Sequence, residues 1–365
     1  MPPLLKTKSG AAHGSKAGGS TTPSPWSAAQ LRRMRDFLAV WYVSAKRDLP
    51  WRRTRDAYAI TVSEFMLQQT QVATVIPYYE RWLKQFPDWR SLAEAKEKTV
   101  IKAWEGLGYY RRARNLQALA RAVMEIGGEM PRDVKALLAL PGIGPYTSAA
   151  IGSIAFDLPA AVLDGNVMRV LTRLLALRDD IALPKTREKL QVVAGRFLDR
   201  QEPSRHNQTV MELGATICVP RNPLCLLCPL KRDCLGRPRA NEFPVKTRAA
   251  QVKRQETIAI LQHGDRFYCE QVPEGKPWQG LWRFPDFDPA RMVPGEEITS
   301  LRYGITKYAV TMQVIAARWK KRAPVSMSIR YLTLEEMTTL AFAAPHRKMA
   351  KFLADSDMDN KKSPD

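Results

Sequence analysis

The sequence predicts a two-domain protein: an all-α domain, a four-cysteine site closing it, and a smaller α+β domain behind. Three observations predict this. From Ser27 to about Ile217 apolar residues recur at intervals of three and four, as in Leu116, Leu119, Ala120 and Val123, the period of helices with one face in a core. Past Arg254 the pattern changes, and Thr257–Leu261 and Arg266–Gln271 flank the turn His263-Gly264-Asp265, which reads as a β-hairpin. Between the two regions stand Cys218, Cys225, Cys228 and Cys234, spaced C-x6-C-x2-C-x5-C.

Taken in order, residues 1–25 form a Gly-, Ala-, Ser-, Thr-, Lys- and Pro-rich arm without an acidic residue. It is expected to be disordered. It also lacks the apolar core of a secretory signal. Residues 26–236 make the helical domain, in about ten short helices. Breaks fall at Phe86-Pro87, Gly106-Leu107-Gly108, Gly127-Gly128, Pro141-Gly142 and Leu183-Pro184. Residues 237–254 are a basic linker. Residues 255–354 are the α+β domain, with further strands at Leu281–Phe287 and Tyr308–Trp319 and helices near Leu334–Leu340 and His346–Phe352. A disordered tail is expected over 355–365.

Charge narrows the class. Against 36 acidic residues stand 57 Lys and Arg, a net charge of +21 in 365 residues. That surplus favours a polyanionic partner, nucleic acid first and an anionic membrane second. No run of about 18 apolar residues exists to span a bilayer. Four of the five cysteines crowd into one stretch, where a disulfide framework would scatter them. They make a tetrathiolate site for an iron–sulfur cluster or for zinc, expected in a reducing, cytoplasmic setting. Cys269, alone in a strand, reads as a small buried hydrophobe.

Leu140-Pro141-Gly142-Ile143-Gly144-Pro145-Tyr146-Thr147 carries a second signal. Gly142 and Gly144 permit a tight turn and leave backbone amides bare, while Pro145 suits the first position of the next helix. A phosphate can approach such a helix N-terminus. Asp164 opens a turn before the helix of Val167–Leu175 and reads as its cap.

These motifs resemble a family. Leu140–Thr147 is similar to the hairpin of the helix-hairpin-helix DNA glycosylases, and Leu163-Asp164-Gly165-Asn166-Val167 to the stretch carrying their catalytic aspartate. The cysteine array resembles the 4Fe–4S loop of their iron–sulfur branch. Asp48-Leu49-Pro50-Trp51-Arg52, Ser63–Val72 and Gly106–Tyr110 resemble the adenine-specific mismatch glycosylases, the MutY family. The likeness runs from about Asp36 to Phe352.

The resemblance implies a helix-hairpin-helix glycosylase domain with a 4Fe–4S cluster on Cys218, Cys225, Cys228 and Cys234. The implied partner is double-stranded DNA with A:8-oxoguanine or A:G mispairs, bound by a monomer. Glu64 would be the general acid on a purine nitrogen. Ile60 and Leu67 share its helical face, and apolar neighbours raise a carboxyl pKa. Asp164 would stabilise the oxocarbenium-like sugar, and Asn166 and Tyr146 would orient Glu64 and water. Leu49, Trp51, Arg52 and Gln208 would line the adenine pocket. Gln69 and Tyr109 would push into the duplex, Gly142 and Gly144 would meet its backbone, and Arg221, Lys231 and Arg232 its phosphates.

Relatives of the endonuclease III type place a Schiff-base lysine where this chain has Tyr146, whose phenol forms no imine. A monofunctional glycosylase is therefore expected. The rivals are a pyrimidine glycosylase with lyase activity and a non-catalytic iron–sulfur DNA-binding protein. Gln271–Phe287 resembles the Nudix-like domain of the same family, without the glutamate-rich helix that holds magnesium. Ile305-Thr306-Lys307 stands where that family has the Phe-Ser-His loop that senses 8-oxoguanine.

Overall fold

The computed structural model describes residues 26–247, 250–305, 307–324 and 326–360, with side chains as far as residue 356. The arm 1–25, Thr306 and the end of the tail lie outside the described residues.

The first domain contains helices α1 to α11, from α1 (Ala28–Ala45) to α11 (Pro203–Thr216). Local chemistry sets their starts. Ser27 closes a capping box on α1 and Asp56 caps α2 (Ala57–Leu67), while prolines open α8 (Pro145–Phe156) and α10 (Pro184–Phe197). Such caps each contribute about 1 kcal/mol. Every residue of α2 from Tyr58 to Met66 is buried, which makes it a central helix. One core gathers Phe65, Trp82, Trp104, Leu116 and Leu119. The other gathers Met34, Leu38, Ile60, Phe197 and Leu213. Helix α2 thus feeds both, Phe65 to one and Ile60 to the other.

The second domain holds two sheets. In the first, β6 (Tyr308–Trp319) lies between β1 (Val252–Ile260), parallel to it, and β5 (Met292–Ile305), antiparallel. In the second, β3 (Arg266–Gln271) pairs antiparallel with β2 (Gln262–His263), β4 (Trp282–Arg283) and β7 (Ile329–Thr333). Helices α12 (Leu334–Thr339) and α13 (Ala344–Asn360) close the chain.

Several expectations are corrected here. The hairpin survives only as β2–β3, because Ile258 and Ile260 of β1 bury against Met312 and Val314 of β6 instead. The strand expected over Leu281–Phe287 contracts to two residues. The segment expected as linker carries a short 3-10 helix, Arg237–Glu242, and already enters β1 at Val252. Helix α13 continues through Asn360, beyond the expected start of the tail. After Phe287 comes β5, a strand that went unpredicted.

The domains are joined through Glu105. Its Oε1 accepts from Phe342 N at 3.0 Å and Arg347 Nε at 2.8 Å, and its Oε2 from Lys102 Nζ at 2.6 Å. Leu281 and Ala343 of the second domain are buried in the first domain's Trp-rich core. Removing a half-buried carboxylate from such a node leaves its donors unpaired, at about 3 kcal/mol. Glu105→Ala is therefore expected to split one calorimetric unfolding transition into two, with the second domain melting first.

Candidate active site

Where the two cores meet, a cavity of about 330 Å³ opens. Leu49, Trp51, Arg52, Glu64, Gln69, Tyr146, Asp164, Asn166 and Gln208 all line it. Residues far apart in sequence are gathered as the resemblance implies.

Glu64 sits in the interior of α2 and is 4% exposed. Ile60 and Leu67, one turn to either side, wall the cavity beside it. Tyr146, the second residue of α8, donates its hydroxyl to Glu64 Oε2 at 2.6 Å. Burial pushes the Glu64 carboxyl from 4.5 to about 7, the Tyr146 hydrogen bond pulls it back in part, and the Asp164 charge raises it again. Burial and the two carboxylates raise the Tyr146 phenol well above its usual value, so it stays a donor.

Asp164 is the N-cap of α9 (Gly165–Leu175), as its position implied. Its Oδ1 accepts from Val167 N at 2.7 Å and its Oδ2 from Asn166 Nδ2 at 3.1 Å. Burial raises its pKa, against the backbone bond from Val167, the bond from Asn166 and the Arg169 cation. Glu64 accepts only a phenol, so a proton shared by the two carboxyls goes to Glu64.

Asn166 corrects an expectation. It bonds Asp164 rather than Glu64, and Arg169 Nη2 fixes its Oδ1 at 2.7 Å. Helix α11 comes close at this point. A Cβ on Gly214 would lie 2.6 Å from Asn166 Cβ.

Leu49 and Trp51 are buried in and beside the 3-10 turn Pro50–Arg52, and Trp51 meets Tyr79 edge-on with centroids 5.4 Å apart. Arg52 is less free than a base-reading residue needs to be. Its Nη2 donates to Glu212 Oε2 at 2.7 Å. Arg47 Nε and Nη2 hold the same carboxylate at 2.7 and 2.8 Å. Burial would raise Glu212, but the two arginines bring it to about 2. Arg47 and Glu212 line the cavity too, and sequence reasoning missed both. The signal was present: Gln208, Met211, Glu212 and Ala215 follow the i, i+3, i+4, i+7 stripe of one helix face.

At the hairpin, Gly142 has φ +74°, and a Cβ there would lie 2.8 Å from Asn115 Cβ. Gly144 is the N-cap of α8, with open space where a Cβ would stand. Gln69 and Tyr109 have φ of +57° and +48°, a left-handed backbone that costs non-glycine residues about 1–2 kcal/mol. Tyr109 is 52% exposed and lines a second cavity, of about 870 Å³, between the domains. Trp278, Tyr303 and Ile305 form its far wall. Lys307 lies over the Tyr308 ring at 5.5 Å.

Cys218, Cys225, Cys228 and Cys234 ring a small cavity of about 20 Å³, and none is in a disulfide. Arg173 Nη1 donates to Cys218 Sγ at 3.2 Å. Burial raises the thiols of Cys228 and Cys234 to about 12 and about 11. Arg221, Lys231 and Arg232 lie in the same loop, and Cys269 is buried in β3.

Comparison with known proteins accords with this geometry. Residues 62–195 match the profile of the HhH-GPD superfamily base excision DNA repair proteins, and residues 257–351 match a NUDIX domain. The human adenine DNA glycosylase is 46% identical over 283 residues, covering 74% of this chain and 51% of that protein. The adenine DNA glycosylase of Buchnera aphidicola subsp. Schizaphis graminum is 34% identical, over 68% of this chain and 73% of its own. The chain belongs to the adenine DNA glycosylase family.

It spans about half the length of its mammalian relatives in that family. Among solved structures, a thermostable thymine-DNA glycosylase superposes with TM-score 0.53 at 29% identity, covering 57% of this chain and 97% of that one. A non-covalent endonuclease III–DNA complex gives 0.50 at 25%, covering 58% and 96%.

Buried glutamate has a measurable signature. A folded pKa raised from 4.5 to about 7 means the native state holds the proton more tightly. Its stabilising contribution is complete below 4.5 and is lost as pH rises through about 7, by about 3 kcal/mol. Glu64→Gln removes this dependence. In urea titrations the variant should gain on the wild type between pH 4.5 and pH 7.

Proposed function

We propose that the protein is a monofunctional adenine DNA glycosylase, which flips adenine mispaired with 8-oxoguanine or guanine from duplex DNA and hydrolyses its N-glycosidic bond. The observation that carries this reading is the Glu64–Tyr146 hydrogen bond inside a cavity that also holds Asp164.

The cavity accepts the flipped base between Leu49, Trp51 and the α2 face. Protonated Glu64 gives its proton to a ring nitrogen of adenine and so makes the base a neutral leaving group. As the C–N bond breaks, positive charge grows on the sugar, and ionised Asp164, held by Val167 N and Asn166, faces it. This is two-carboxylate cleavage with roles set by environment. Water then adds to the sugar and gives its proton to the now ionised Glu64. Tyr146 offers no amine for an imine, in contrast to the chemistry behind the endonuclease III structure described as a trapped covalent intermediate.

The opposing base is read at the cleft between the domains, where Tyr109, Ile305 and Trp278 converge. The hairpin at Gly142 and Gly144 and the basic cysteine loop hold phosphates.

The four cysteines fit a 4Fe–4S cluster: all four face one cavity, and Arg173 compensates thiolate charge at Cys218. When bound, the cluster supplies a rigid scaffold for the DNA-facing loop. No step of base release passes through it.

Single-turnover assays test this on A:8-oxoguanine, A:G and T:G duplexes. Adenine release from the first two and none of thymine is expected, with no borohydride-trapped adduct. Thymine release or a robust adduct would contradict the reading. Above about pH 7 the adenine-release rate should fall about tenfold per pH unit as Glu64 ionises. Purified protein should contain about four irons per chain, measured by elemental analysis, and zinc in their place would overturn the cluster.

A further inference from the structure

Arg112 lies in the first turn of α6 (Arg111–Glu125), where a cation opposes the dipole of its own helix. It is buried at 7% exposure, and among the described residues no carboxylate pairs with it. Two features of this kind in one side chain are costly. Its guanidinium is instead spent on neutral oxygens. Nη1 donates to Phe65 O and Met66 O at 2.9 Å each and to Gln68 O at 2.5 Å. Nη2 donates to Thr70 Oγ1 at 3.2 Å, Leu107 O at 2.8 Å and Gly108 O at 3.1 Å.

These acceptors form three groups. Phe65 and Met66 end the helix that carries Glu64. Gln68 and Thr70 flank the left-handed Gln69, and Leu107 and Gly108 precede the left-handed Tyr109. The Tyr109 ring lies 5.7 Å from the guanidinium carbon.

We propose that Arg112 is the positioning residue of the insertion apparatus: one guanidinium locks the Gln69 loop, the Tyr109 loop and the end of the Glu64 helix together, so that both side chains enter DNA as a unit. The inference rests on the reading that Gln69 and Tyr109 enter the duplex. A planar fork reaches oxygens on three segments, and a lysine ammonium, with three donors on one atom, does not. The same lock explains how two strained backbones persist side by side, since surrounding structure must over-determine them. Arg112 contacts neither substrate nor the reacting atoms in this scheme; it acts through the loops it holds.

The test uses the full chain and an A:8-oxoguanine duplex with 2-aminopurine beside the adenine, whose fluorescence reports flipping in stopped flow. Arg112→Lys should keep the wild-type unfolding midpoint within a few degrees and slow flipping about tenfold or more. In a Gln69→Ala/Tyr109→Ala background, Arg112→Lys should add no further slowing, because the unit it holds is gone. A wild-type flipping rate for Arg112→Lys, or full additivity on the double variant, overturns the proposal while leaving insertion standing. Failure of both Arg112→Lys and Arg112→Gln to fold also overturns it, since Arg112 is then scaffold. If the double variant alone flips at the wild-type rate, the insertion reading fails and takes the proposal with it.

Discussion

A carboxyl group held out of water beneath a phenol is the constraint on which the rest of this structure depends. The Glu64 pKa is raised to about 7 because α2 runs buried between two cores and presents the carboxyl to a cavity walled by Ile60 and Leu67. Tyr146 can reach it only because Gly142 turns the chain sharply and starts α8 beside α2. The caps, the hairpin and the seam between the cores all serve that juxtaposition. A helix buried along almost its whole length is expensive to provide in a small domain, and here it holds a carboxyl whose pKa is raised toward neutrality.

Around this pair the polar network divides labour by charge. Asp164 is held by a backbone amide and by Asn166, which Arg169 fixes in turn. Arg169 Nε also reaches the carbonyl of Cys218 at 2.7 Å, so the base of the cysteine loop and the aspartate share one support. Glu212 carries its charge between Arg47 and Arg52 at the other end of the cavity. Buried charge is compensated at Asp164 and Glu212, while at Glu64 burial raises the pKa to about 7 instead. Arg112 is the opposite case, a buried cation whose Nη1 and Nη2 donate to neutral oxygens.

Much of this was legible in the sequence. The helical period, the cysteine spacing and the Pro-Gly-Ile-Gly hairpin report local physics, and each appears where local physics puts it. Glu64, Asp164 and Tyr146 could be singled out because their motifs are contiguous, and all three line one cavity. What was not legible depends on long-range pairing. Strand β1 carries hairpin-like alternation yet pairs with β6, more than fifty residues on, because the register that buries Ile258 and Ile260 is settled across the sheet. Glu212, Arg47 and Arg112 are charged residues on helical or loop segments, which read as solvated surface until tertiary packing encloses them. Asn166 was placed at the site but given the wrong partner, since two residues of separation leave the direction of a side chain open.

The central claim is that burial raises the Glu64 pKa from 4.5 to about 7, with Tyr146 moderating rather than causing the shift. The most direct measurement is the pH titration of the Glu64 side-chain carboxyl by carbon-13 NMR in wild-type protein and in Tyr146→Phe. A midpoint of about 7 in the wild type, moving higher when the phenol is removed, is the result predicted. A wild-type midpoint near the ordinary 4.5 would contradict it.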